Sequence, residues 1–155
     1  MKFGNEDCML LMCSDCFEID YRKRRSGIYC KKCGGYLEEI DDNFIQAISL
    51  LNKKGYITKF CCSGHPKNDH INESYIFFEK SIILPHLPNG YMYEEDMYPQ
   101  IDHTNWQKMN GIHTCIRTKF DDSNPVVLQK SILQNAINVL DWADLLPIIE
   151  NKEKT

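Results

Sequence analysis

Apolar residues along this chain switch between helical and strand spacing, and each switch marks an element. Phe44, Ile45, Ile48 and Leu51 recur at helical spacing and predict a first helix. Asp41 or Asp42 can cap it, Lys53 and Lys54 suit the negative end of its dipole, and Gly55 suits the position just past its end. A β-rich run follows from Tyr56 to Cys62. A second strand is expected at Ser74 to Glu79, where nearly continuous apolar residues predict burial on both faces. A third, Ile112 to Phe120, alternates. Ile112, Thr114, Ile116, Thr118 and Phe120 share one side; His113, Cys115, Arg117 and Lys119 share the other, which reads as a non-core face. Asn124 as N-cap and Pro125 at N1 open a last helix, for which Val126, Leu133, Ile137 and Leu140 predict the core-facing stripe. Pro85, Pro88, Pro99 and Asn89-Gly90 make residues 81–110 mostly loop.

Residues 8–40 lack such periodicity but carry the clearest chemistry. Cys13-x-x-Cys16 and Cys30-x-x-Cys33 are two knuckles, each offering two thiolates from one tight turn. Zinc takes four such ligands tetrahedrally, and a closed four-thiolate site supports folding rather than catalysis. Gly34-Gly35 lets backbone amides approach the sulfurs. The fold class expected is α+β. An N-terminal four-cysteine zinc ribbon (8–40) precedes a small α/β sandwich-like domain (41–147) with about three strands and two main helices, and a flexible tail (148–155). Arg22-Lys23-Arg24-Arg25, between the knuckles, reads either as a phosphate or acidic-partner contact or as cations offsetting the thiolates.

Charge and composition narrow the context. The formal charge is −4, and residues 1–40 are balanced, so the acidic excess lies in the body. That disfavours indiscriminate nucleic-acid binding, which depends on neutralising phosphates. The first seven residues show no apolar signal-like stretch, and no apolar run is long enough to cross a bilayer. A cytoplasmic setting, inside the cell where the chain is made, is therefore expected, with no membrane partner. There, eight cysteines read as metal ligands or thiols, not disulfides.

The other informative stretch is Cys61-Cys62-Ser63-Gly64-His65, where a strand ends in a turn. Ser63 and Gly64 can converge backbone N–H groups on an anion, and His65 adds a titratable donor or a metal ligand. Cys62, Ser63, Gly64, His65, His113, Arg117 and Lys119 form the candidate ligand-binding set, provided the third strand lies beside Tyr56–Cys62. Trp106, Tyr91, Tyr93 and Tyr98 are candidates for stacking on a base. Cys61, Cys62, His65, His70, His113 and Cys115 are also donors for a second metal, against the plainer reading of Cys61 and Cys62 as small buried hydrophobes.

The helix, Asn52-x-x-Gly55-Tyr56, the strand and Cys61-Cys62-Ser63-Gly64-His65, behind a zinc ribbon, resemble small uncharacterised proteins of Gram-positive bacteria and their phages. The likeness spans roughly residues 13–79 and implies no particular activity. Thr58 and Cys62-Ser63-Gly64 are also similar to the Thr-x-x-Ser-Cys-Ser-Gly-Arg stretch of the wybutosine-synthesis tRNA methyltransferase family. Here Cys61 stands where that family has Ser, and His65 where it has Arg.

No Ser/His/Asp order, phosphate-binding glycine loop or carboxylate pair is legible, so catalytic residues are not assigned. Three readings stay open. The leading one is a zinc-binding protein that captures a phosphorylated ligand, nucleotide or RNA, near the Ser-Gly-His turn. The others are a protein-binding inhibitor or adaptor acting on a host factor, and a small enzyme remotely related to tRNA-modifying methyltransferases.

Overall fold

The computed structural model describes residues 8–23, 27–66, 72–95 and 113–149. The fold is mixed α+β, with two antiparallel sheets and two helices among these residues. Strands β1 (Cys8–Cys13), β2 (Ile19–Lys23) and β3 (Leu37–Glu39) form a three-stranded sheet in the order β2-β1-β3. Helix α1 (Ile45–Lys53) follows. Strands β4 (Thr58–Cys62), β5 (Asn72–Phe78), β6 (Met92–Glu95) and β7 (Thr114–Phe120) form the second sheet, in the order β4-β5-β7-β6. Helix α2 (Pro125–Leu145) closes the described chain.

Three strands thus lie in a region where sequence periodicity showed none. The reason is visible in β1, the central strand, which is apolar on both faces. Met12 and Leu10 join Phe44, Ile48, Leu51, Ile76, Ile116, Val139 and Trp142 in the main core. Met9, Leu11 and Cys13 face Leu37 and Cys30 in a second, smaller core. A strand buried on both sides reads as an unbroken apolar run and loses its alternation.

Helix α1 starts later than its expected cap. Phe44 is the N-cap residue and makes no side-chain capping bond, so neither Asp41 nor Asp42 caps the helix. Asp41 instead turns the preceding loop, accepting from Asn43 N–H at 3.0 Å. At the other end Gly55 takes φ +98° just beyond the C-cap Lys54, as its position predicts.

Helix α2 begins as expected: the Asn124 side chain accepts from Val126 and Val127 N–H, and Pro125 fills N1. Its buried face, however, is Leu128, Ile132, Asn135, Ala136, Val139, Trp142 and Ala143. Val126, Leu133 and Ile137, expected to face the core, are exposed. The helix carries two apolar stripes on opposite sides, and spacing alone does not say which one meets the sheet. Burial of polar Asn135 marks the true core face: it donates to Ser74 Oγ and to the buried Tyr91 hydroxyl, at 3.2 and 2.9 Å.

The stretch after β5 is more ordered than its prolines suggested. Leu84 and Tyr91 are buried in the main core, and Trp142 Nε1 donates to His86 O at 2.9 Å. Residues Met92–Glu95 pair with β7 as its edge partner. Trp106, Tyr98 and His70 lie outside the described residues.

Candidate metal centre

Each cysteine pair sits in a tight turn built by the backbone. In the first, Phe17 N–H donates to Cys13 O at 3.0 Å; in the second, Gly34 N–H donates to Cys30 O at 2.9 Å. Sheet pairing brings the turns together, because Cys13 ends β1 opposite Leu37, just beyond the second knuckle. The sulfurs of Cys13, Cys16, Cys30 and Cys33 all lie within 4.8 Å of one another. Cys13 to Cys33 is 3.4 Å and Cys16 to Cys30 is 3.8 Å. Tetrahedral zinc–thiolate geometry, with bonds of about 2.3 Å, places sulfurs about 3.8 Å apart, so the donor set fits zinc in number, type and spacing.

Backbone N–H donors point at three of these sulfurs. Asp15 and Cys16 N–H point at Cys13 Sγ, Lys32 N–H at Cys30 Sγ, and Gly35 N–H at Cys33 Sγ, all at 3.4 to 3.5 Å. Burial opposes ionisation of Cys13, but the N–H groups of Cys16 and Asp15 and the neighbouring thiols outweigh it and bring the thiol down to about 7. Gly35 is required by close approach. A Cβ there would lie 2.8 Å from Cys13 Sγ and 2.6 Å from Asp15 Oδ2.

The basic arm beside the centre is only partly available to a partner. The Arg22 side chain is buried (4% exposed), paired with Asp20 at 2.6 Å and donating to Gly27 O at 3.3 Å. Glu18 binds both Lys32 and Lys53 at 3.1 Å, linking the second knuckle to α1. Ser49, buried on α1, donates to Phe17 O at 2.6 Å. The metal centre is therefore fastened to the main core by backbone, hydroxyl and ion pair.

The Ser-Gly-His turn is organised differently from expectation. Ser63 N–H and Oγ both donate to the Asp41 carboxylate at 2.8 Å, so an internal anion already holds the turn's donors. Gly64, at φ +104°, packs against Phe120 and Ile132; a Cβ would stand 3.3 and 3.4 Å from them. His65 is exposed, with Nε2 3.6 Å from Cys62 Sγ. Burial pushes the Cys61 thiol up to about 12, which suits an apolar packing role.

Strand β7, which bears Cys115, Arg117 and Lys119 and begins just after His113, does not lie beside β4. Strand β5 separates them, so β7 and β4 stand about 10 Å apart, two strand spacings. Nor is that face solvated throughout: Cys115 is fully buried next to Phe77, and burial pushes its thiol up to about 11. Arg117 is clamped between Glu73 and Glu94 and stacks over Tyr75 at 5.6 Å. Lys119 is 3.8 Å from Glu73. Sequence could not anticipate either carboxylate partner, since Glu73 and Asp41 lie 44 and 22 residues from the groups they bind. Among the described residues, Cys61, Cys62, His65, His113 and Cys115 form no group of three donors close enough for a metal.

No known protein family, curated protein or solved structure matches this chain. Fold and site together define a mixed α+β protein with a four-cysteine cluster able to hold a metal ion.

Proposed function

We propose that this chain is a zinc-binding adaptor: Cys13, Cys16, Cys30 and Cys33 hold one structural zinc in an N-terminal ribbon, and the stabilised ribbon docks a protein partner. The observation that carries the zinc assignment is the set of four sulfurs at ligand spacing, met by backbone N–H donors. Four thiolates complete the coordination shell, so the ion shapes a surface and supplies no open position for substrate.

The docking surface is a groove of about 560 Å³ on the same sheet. Its floor is Leu11 and Leu37, its walls are Ile28 and Tyr36, and Glu38 and Glu39 line its rim. Tyr36 is exposed opposite exposed Tyr29, its bridge partner. An apolar floor with an acidic rim fits a peptide segment presenting an aliphatic side chain beside a Lys or Arg. A phosphorylated ligand at the Ser-Gly-His turn is less well supported, because it has to displace Asp41 and finds Arg117 already neutralised.

Native mass spectrometry of protein purified without chelator is expected to show one zinc per chain, lost in Cys30→Ser. Iron, or a chain that never takes up metal, rejects the assignment. For the partner, a protein captured from a bacterial lysate should be released by Ile28→Glu and by Glu38→Lys/Glu39→Lys, with the fold retained. Capture indifferent to both variants, or tight calorimetric binding of a nucleotide lost in Ser63→Ala, overturns the adaptor reading.

A further inference from the structure

The outer face of α2 is unusual for a helix packed on one side only. Val126, Leu133 and Ile137 are 65%, 45% and 54% exposed, while half-buried Leu140, at the edge of their line, packs against the main core. At 100° per residue the three exposed positions fall within a narrow stripe, closed at its C-terminal end by exposed Asp144, on the side away from the core-facing Asn135 and Val139. Lys130 and Asp141 flank the stripe on one side. Among the described residues neither has an ion-pair partner.

We propose that this stripe pairs with the same stripe of a second copy, the two α2 helices running antiparallel. A two-fold axis level with residue 135 sets Leu133 of each copy opposite Ile137 of the other. The same axis preserves the side of the helix on which a flanking residue sits. Lys130 of one copy then meets Asp141 of the other, on the same side and within about one residue's rise. Symmetry makes this pair twice, so the charges are complementary only in the antiparallel arrangement. A parallel pairing puts the two Lys130 at one level but on opposite flanks of the seam, so neither meets an Asp141 and the complementarity is lost. A strip running from Val126 to Leu140, about 21 Å long and about 10 Å wide, is a small interface, so the dimer is weak and concentration-dependent.

This surface is distinct from the metal-bearing sheet, so the adaptor reading and the dimer stand or fall separately. Sedimentation velocity of the zinc-loaded full chain should show a shift from 18.2 kDa toward twice that mass with rising concentration. Leu133→Lys and Ile137→Lys, both at exposed positions, should abolish the shift while leaving the thermal melt of the monomer unchanged. Lys130→Asp or Asp141→Lys alone should weaken dimerisation by about tenfold, two exposed pairs being lost at once. The double exchange should restore it. A chain that remains monomeric at about 1 mM overturns the proposal. So does a dimer that survives Leu133→Lys, or one that the double exchange fails to rescue.

Discussion

At the scale of single residues, the metal centre depends on what is missing as much as on its ligands. Gly35 has no side chain because Cys13 Sγ and Asp15 Oδ2 occupy that space. Gly35→Ala is therefore expected to lower zinc affinity while keeping all four thiols, and competition with a chromophoric chelator measures it. The neighbouring Asp20–Arg22 pair carries a pH signature. Arg22, hydrogen-bonded to Asp20, holds that carboxyl below the ordinary carboxylate range. A lowered folded value means stability that is present above about pH 4 and lost as the pH falls through it. Asp20→Asn is expected to destabilise the protein by about 2 kcal/mol at neutral pH, less than for a fully buried pair because Asp20 is 19% exposed. It should also flatten the acid limb of a stability–pH curve.

At the scale of elements, one lysine clasps the ends of α1 and α2, which also pack together in the main core. Lys54 Nζ donates to the carbonyls of Ala143, Asp144 and Leu146, at 2.9, 2.5 and 2.8 Å. These are carbonyls a helix leaves unpaired at its C-terminus, where the dipole also favours a cation. Tyr56 OH donates to Pro147 O, and Ile149 N–H to Lys54 O, completing the clasp. Lys54→Met keeps the apolar stem and removes the charge. It is expected to cost about 2 kcal/mol, lowering Tm by about 4–8 °C in a melt of the zinc-loaded chain.

At the scale of the whole molecule, β1 belongs to two cores at once, so the four-cysteine cluster and the main domain share a strand. Removing zinc leaves four mutually close thiols beneath Leu11 and Leu37 and loosens the strand that also supplies Leu10 and Met12 to the main core. Chelation is expected to lower Tm by at least about 10 °C in a single cooperative transition. Hydrogen exchange should lose protection at Met12 along with the knuckles. A main-core melt unchanged by chelation would show that the two cores fold independently. Across the described residues no helix is long and apolar enough to cross a membrane.

By itself the sequence determined the features set by short-range chemistry. The four cysteines, the glycine beside them, the Asn124-Pro125 start of α2 and the Gly55 stop of α1 are all local, because a turn or cap is made by residues a few positions apart. Tertiary structure alone decided the rest. The order β4-β5-β7-β6 moved Arg117 away from the Ser-Gly-His turn and gave it Glu73 and Glu94. Asp41 became the partner of Ser63 instead of a helix cap, and α2 presented Leu128, Ile132 and Val139 to the core in place of Leu133 and Ile137. In each case two or more placements satisfied the local pattern equally well. Long-range packing and charge pairing chose between them, and periodicity carries no information about either. The four-cysteine cluster belongs to both groups: spacing named its members, and only the sheet showed that their sulfurs gather at the end of a strand shared with the main core.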